Sequence, residues 1–92
     1  MITAVIDATC EYVEDGDTFR TSRKNWIRLA NVCAPELSTA GGAKAKRILA
    51  ELIFGKRIRY KKCGSSYGRL VADVWVGNLW VNAHMRQLGY TC

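Results

Sequence analysis

The chain contains one proline and one histidine in 92 residues, and no apolar run approaches the roughly 20 residues that cross a bilayer. It also lacks a basic start followed by a long apolar stretch, so we expect no signal peptide, no membrane partner and a cytoplasmic location. The absence of a Cys-x-x-Cys pair or a Cys/His cluster argues against a structural zinc site. Without repeats or linkers, residues 1–92 are expected to form one domain and a monomer.

Acidic residues are few and unevenly placed. Eight Asp and Glu stand against fourteen Lys and Arg, which gives a net charge of +6. Residues 1–17 contain five acids and no Lys or Arg, a net −5, whereas residues 18–92 carry a net +11. The basic excess favours a polyanionic partner, namely DNA or RNA. An acidic segment beside a basic remainder also suits metal-dependent chemistry on phosphates.

The four cysteines are widely spaced, at Cys10, Cys33, Cys63 and Cys92. We expect them to be reduced thiols. Disulfides are the alternative if the protein is exported or comes from a hyperthermophile, and the sequence leaves all three pairings open.

β-Branched and aromatic residues, divided by turn signals, predict strands in two groups. Asp15-Gly16 and Gly77-Asn78 are the turns, and Pro35 ends the third strand. Lys56 to Lys62 is unusually basic, and a loop is expected to follow it over Cys63–Tyr67. The predicted strands are Ile2–Val13, Thr18–Thr21, Trp26–Cys33, Lys56–Lys62 and Arg69–Val76, with a short return over Leu79–Val81.

Helical periodicity follows the Gly41-Gly42 loop, where apolar residues recur at positions 45, 48, 49, 52 and 53. Gly55 ends this helix, and Asn82 is expected to cap a short last helix over Ala83–Leu88. Three strands, a helix and two further strands predict a mainly β fold, a five-stranded Greek-key barrel of the OB type. One helix lies between strands three and four, and the short helix is C-terminal.

Four segments in series carry a resemblance: residues 13–19 (VEDGDTF), 27–36 (IRLANVCAPE), 67–69 (YGR) and 81–82 (VN). In this order and spacing the chain resembles the staphylococcal nuclease (thermonuclease) family from about residue 10 onward. The resemblance implies a metal-dependent nuclease that cleaves DNA or RNA and leaves 3′-phosphates. The chemistry needs groups for the phosphate oxygens, an activated water and help for the leaving oxygen.

By resemblance, Asp17 binds calcium, because a carboxylate after a tight turn is a hard oxygen donor. Arg28 and Arg69 bind the phosphate, and Glu36 activates the attacking water. Tyr67 is expected to contact a base, the phosphate or the protein itself.

Further contacts are expected outside these motifs. Lys61 and Lys62 are expected to follow the nucleic-acid backbone. The three tryptophans, at positions 26, 75 and 80, are expected to pack in the core or barrel rather than to stack on bases.

Cys33 departs from the family pattern, which has a second calcium-binding aspartate at this position. A thiol is a poor ligand for calcium, although the backbone carbonyl of Ala34 remains available. Calcium binding is therefore expected to be weak, and another divalent ion is the alternative. The rival interpretation is a catalytically weak or inactive member that only binds nucleic acid. A third is an enzyme controlled through the Cys33 thiol.

Overall fold

The computed structural model describes residues 4–92, which form one curved sheet and two helices. The strand order is β3-β2-β1-β4-β5-β6, and β3 also pairs with β5 in parallel, which closes the barrel. The predicted five-stranded barrel of the OB type is confirmed, with β6 as a two-residue addition. The elements are β1 Val5–Val13, β2 Thr18–Thr21, β3 Trp26–Leu29, α1 Ala40–Ile53, β4 Arg57–Ser66, β5 Arg69–Val76, β6 Leu79–Trp80 and α2 Val81–Gln87.

The barrel interior follows the strand alternation, so that Phe19, Ile27 and Leu29 point inward and are fully buried. Leu49 and Ile53 of α1 are buried against them, as the helical period predicted. Residues 2 and 3 of the predicted first strand lie outside the described residues. Among residues 4–92, neither helix is long and apolar enough to cross a membrane.

Helix α1 begins before the glycine pair that was predicted to form a loop. Thr39 caps the helix, and its Oγ1 accepts a hydrogen bond from the Gly42 N–H at 3.0 Å. A Cβ on Gly42 would lie 1.9 Å from the Glu36 carbonyl oxygen. Glycine is therefore required here for close packing of the helix on the preceding loop.

Two strands end four residues away from the predicted positions. Strand β3 ends at Leu29 rather than Cys33, and Asn31 shortly after it adopts a left-handed φ of 60°. Strand β4 runs on to Ser66, so the loop predicted over Cys63–Tyr67 does not exist. Instead Tyr67 and Gly68, with φ of 50° and 77°, make a two-residue hairpin turn into β5.

Asn82 is not the helix cap that was predicted. It is fully buried inside α2, which begins one residue earlier. Its amide accepts from the Val74 N–H at 2.8 Å and donates to the carbonyls of Ala30 and Ala72, both at 3.1 Å. Asn82 therefore joins the last helix to β5 and to the residue after β3.

Two of the four cysteines are joined by a disulfide, Cys33–Cys92, so the expectation of four free thiols was wrong for this pair. Cys10 is free and buried, and burial raises its pKa to about 11. Cys63 is free and exposed on β4. The disulfide ties the end of the chain to the loop between β3 and α1.

The three tryptophans lie outside the buried core, and Trp26 packs on the barrel, the other position that was predicted for them. Trp26 and Trp75 are half-buried on the outer face of the barrel, and Trp80 is exposed. Trp26 packs edge-on against Tyr12, with ring centroids 6.0 Å apart. The core is closed by smaller side chains instead.

Candidate active site

The site begins at the tight turn between β1 and β2. The Asp15 carboxylate accepts a hydrogen bond from the Asp17 N–H at 3.0 Å, which fixes the turn. Gly16 is buried, and a Cβ there would lie 2.5 Å from the Ala45 side chain and 2.7 Å from that of Ala34. The turn is thus held beneath α1 and the loop that precedes it, so Asp17 has a fixed position.

The Asp17 carboxylate is half-buried and accepts two hydrogen bonds. The Thr18 hydroxyl donates to Oδ1 at 2.9 Å, and the Ala34 N–H donates to Oδ2 at 3.0 Å. Burial opposes its ionisation, but hydrogen bonds from Asp15, Ala34 and Thr18 and the charge of Arg28 together lower the Asp17 pKa. Asp17 therefore loses its proton at a lower pH than Asp15 does.

Asp15 behaves in the opposite way. Burial and the neighbouring Asp17 carboxylate raise the pKa of Asp15 to about 6. Two carboxyl groups in contact resist double ionisation, and a cation between them would relieve that repulsion.

Of the two predicted phosphate-binding arginines, Arg28 lies beside Asp17 and Arg69 lies beside Thr18. Arg28 Nη2 is 3.7 Å from Asp17 Oδ2, and Arg69 Nη1 lies 3.5 Å from Thr18 Oγ1. Thr18 is fully buried, and its hydroxyl links Asp17 to Arg69 by donating to the first and accepting from the second. The sequence predicted no role for Thr18, although this residue stands inside the DGDT segment. The fold thus brings residues from β2, β3 and β5 to one outer face.

Glu36 lies on the exposed loop before α1. Its backbone carbonyl accepts hydrogen bonds from the N–H and hydroxyl of Thr39, at 3.0 and 2.7 Å, and packs against Gly42. The helix cap therefore fixes the backbone of Glu36. Within residues 4–92 its carboxylate has no hydrogen-bond or ion-pair partner, which leaves it free to act on a bound molecule.

The other predicted substrate-binding residues lie further out. Tyr67 is 96% exposed at the tip of the β4–β5 hairpin. Lys61 and Lys62 are exposed on β4. In the strand register Lys61 lies opposite Asp73 of β5. The structure groups Asp17, Arg28 and Arg69 closely and does not bring Tyr67 or the lysines into contact with them.

Cys33 lies at the edge of the site as half of the disulfide. Its Sγ is 3.5 Å from Arg28 Nη2, and its N–H donates to the Tyr90 carbonyl at 3.1 Å. A disulfide sulfur has no thiolate to offer a metal, so Cys33 cannot replace a carboxylate ligand in this state. It fixes instead the segment that presents the Ala34 N–H to Asp17.

The donor chemistry fits a divalent cation held by few protein ligands. Asp15 and Asp17 are hard oxygen donors in mutual contact. In the described part of the chain, no three His, Cys, Asp or Glu side chains come together as a metal site. The carboxylate pair alone offers few ligands, so a bound ion would keep several waters, as Mg²⁺ commonly does.

Fold and site together define an OB-type barrel with a carboxylate pair and two arginines on one outer face. The family model described as "Staphylococcal nuclease homologue" matches residues 26–92. The chain belongs to this family.

Three curated relatives are similar to the chain. An uncharacterised endonuclease of Haemophilus influenzae is 35% identical over 88% of this chain and 49% of its own length. Two probable staphylococcal-like nucleases of Oryza sativa subsp. japonica are each 28% identical over 98% of this chain, but over only 24% and 25% of their own lengths. The chain thus spans about half the length of the bacterial relative and a quarter of the plant ones.

Proposed function

We propose that the protein is a metal-dependent nuclease that hydrolyses phosphodiester bonds of single-stranded or loosely paired DNA or RNA. The observation that carries the proposal is the contact chain from Arg28 through Asp17 and Thr18 to Arg69. Family membership and the nuclease names of the relatives support it. By resemblance to the family, cleavage leaves a 3′-phosphate.

The two arginines bind the scissile phosphate. A guanidinium presents a planar fork of N–H donors that matches two phosphate oxygens, and it remains charged at every relevant pH. Arg28 is held by Asp17 on one side, which orients it, while Arg69 is held only through a long hydrogen bond to Thr18. We therefore assign Arg28 to binding the phosphate and Arg69 to the charge that develops in the transition state.

Glu36 removes a proton from the attacking water. Two observations support this role: the Glu36 carboxylate is exposed, and the Thr39 hydroxyl fixes the Glu36 backbone. A carboxylate in this role contributes about 10²- to 10⁴-fold to the rate. A module that only binds nucleic acid has no use for such a group.

Asp15 and Asp17 would hold the divalent ion. When bound, the ion supplies positive charge to a phosphate oxygen and lowers the pKa of bound water. The lowered pKa of Asp17 favours its charged form, which attracts a cation. Below about pH 6 a bound ion would have to displace the proton of Asp15.

The direct test incubates the full chain with a labelled single-stranded oligonucleotide. Parallel reactions contain Ca²⁺, Mg²⁺, Mn²⁺ or EDTA, and the product ends are identified by sensitivity to a 3′-phosphatase. We expect cleavage with at least one ion and none with EDTA. Absence of cleavage with every ion would contradict the proposal.

Asp17→Asn is expected to lower cleavage about 10- to 100-fold and to weaken binding of the activating ion by a similar factor. Asparagine keeps an acceptor for Thr18 or Ala34 but lacks the negative charge that attracts the cation. Ion affinity is measured by titrating the activity, and independently by calorimetry. Asp7→Asn, on the exposed part of β1, is the matched control and should change neither. Unchanged ion affinity in the Asp17 variant would remove this residue from the metal site.

The second candidate function is a nucleic-acid-binding module with little or no catalysis. It is favoured by the disulfide at Cys33, where the family pattern has a carboxylate ligand. A carboxylate restored at position 33 separates the two candidates. A sharp rise in calcium-dependent cleavage favours the nuclease, and no rise favours the binding module.

Cys33→Asp is compared with Cys33→Ser, because both remove the disulfide and only the first adds a carboxylate. We expect the Asp variant to bind Ca²⁺ about tenfold or more tightly than the Ser variant, since charge count tunes oxygen sites. Calorimetry measures the ion, and the oligonucleotide assay measures cleavage. Equal Ca²⁺ affinity in the two variants would mean that position 33 does not face the ion.

A further inference from the structure

The outer face of β1, β2 and β3 carries an aromatic and arginine row that the proposed function leaves unused. The strand register places Tyr12 opposite Arg20 and Arg20 opposite Trp26. The Arg20 guanidinium carbon lies 5.9 Å from the centre of the Trp26 ring, and Tyr12 meets that ring edge-on at 6.0 Å. These three residues form one continuous surface, the Tyr12 row.

The Tyr12 row adjoins the candidate active site. Thr18 faces Arg28 in the same pair of strands, and each lies two residues from a member of the row. Residues two apart on a strand point to the same face and are separated by about 7 Å. A molecule bound at Arg28 therefore reaches the row without leaving the sheet.

The chemistry of the row suits a nucleotide. The Arg20 Nε is buried, and no hydrogen-bond acceptor among the described residues reaches it. Burial closes this nitrogen to a ligand, so a phosphate oxygen would be bound by the terminal Nη atoms of the guanidinium instead. Tyr12 is 48% exposed, so an aromatic edge is open to a flat ligand. Bases stack on aromatic side chains while arginine holds the adjoining phosphate.

Accordingly, we propose that Tyr12, Arg20 and Trp26 form a subsite for the nucleotide next to the scissile phosphate of a single-stranded substrate. The inference rests on the proposed nuclease function and adds a binding site to it. It favours single strands because the bases of a duplex are stacked on one another and cannot stack on protein. Arg20 binds a phosphate oxygen, and the two rings contact the base.

The test measures binding rather than cleavage. The probe is a fluorescein-labelled oligothymidylate of about twelve nucleotides, within the site size of an OB fold. Anisotropy is followed with EDTA present, so that ion-dependent cleavage is suppressed. Trp26→Leu is expected to weaken binding about 5- to 100-fold, and Trp26→Phe to recover most of the loss. Arg20→Met should reduce the slope of log affinity against log salt by about 0.7.

A second aromatic and arginine pair supplies the matched control. The Arg86 guanidinium lies 5.1 Å from the centre of the exposed Trp80 ring. Trp80 pairs with the far end of β5, about 20 Å along that strand from Arg69. Trp80→Leu and Arg86→Met should change affinity less than twofold. Thermal melts establish that each variant is folded, and the salt slope of Arg20→Met tests the row even if the Leu variant is unstable.

The outcomes separate the subsite from the nuclease. Weaker binding in Trp26→Leu alone supports the subsite, even if the wild-type protein never cleaves. Wild-type affinity in Trp26→Leu overturns the subsite even if the protein does cleave. Equal losses at Trp26 and Trp80 would also overturn it, because they indicate non-specific contact. Failure of the wild-type chain to bind the probe counts against it as well.

Discussion

Glu36→Gln is expected to lower the cleavage rate about 100-fold or more and to leave nucleic-acid affinity nearly unchanged. Glutamine has nearly the same shape but cannot accept the proton of the attacking water. The side chain is exposed and has no hydrogen-bond or ion-pair partner among the described residues, so the substitution should not disturb the fold. Single-turnover cleavage of an oligonucleotide measures the rate, and anisotropy in EDTA measures affinity.

Glu51→Gln is the matched control, since Glu51 is an exposed acid on α1 outside the site. It should retain wild-type cleavage. If Glu36→Gln also cleaves at the wild-type rate, then Glu36 is not the base that activates the water. If both affinity and rate fall together, Glu36 contacts the substrate rather than the water.

The fold was largely predictable because its signals are local. Strand alternation placed Ile27 and Leu29 inside the barrel and Arg28 outside, which is where the structure has them. The errors lie where a distant contact overrides a local preference. Gly42 is typical of a loop, but the Thr39 cap places it in the first turn of α1, where the nearby Glu36 carbonyl leaves no room for a Cβ. Asn82 reads as a cap, but its buried amide serves three backbone groups on neighbouring segments.

The site was predictable only in part, for the same reason. The motifs named Asp17, Arg28 and Arg69, but not the Thr18 hydroxyl that joins two of them, because a Thr in a strand ordinarily only packs. The Cys33–Cys92 pairing joins residues 59 positions apart, and four cysteines allow three pairings. The Tyr12 row depends on a register across three strands, one pair of which contains a bulge. Single-chain patterns do not specify such a register.

Reduction of the Cys33–Cys92 disulfide is expected to lower the melting temperature by about 15–30 °C. A cross-link over a separation of 59 residues restricts the unfolded chain enough to stabilise the fold by roughly 4 kcal/mol. In a domain of this size each kcal/mol shifts the melting temperature by about 4–8 °C. The disulfide is also the covalent link between the Tyr90 end of the chain and the segment that holds Asp17 through Ala34.

Calorimetric melts with and without dithiothreitol measure the effect. The double variant Cys33→Ser with Cys92→Ser should melt where the reduced protein does and be insensitive to the reductant. Cys63→Ser is the control, because Cys63 is an exposed free thiol, and it should retain the full response. Alkylation of the native, unreduced protein should label Cys63 and spare the buried Cys10, whose pKa burial raises to about 11. A shift below about 3 °C on reduction would show that the cross-link contributes little to stability, and the positioning of Ala34 beside Asp17 would then depend on packing alone.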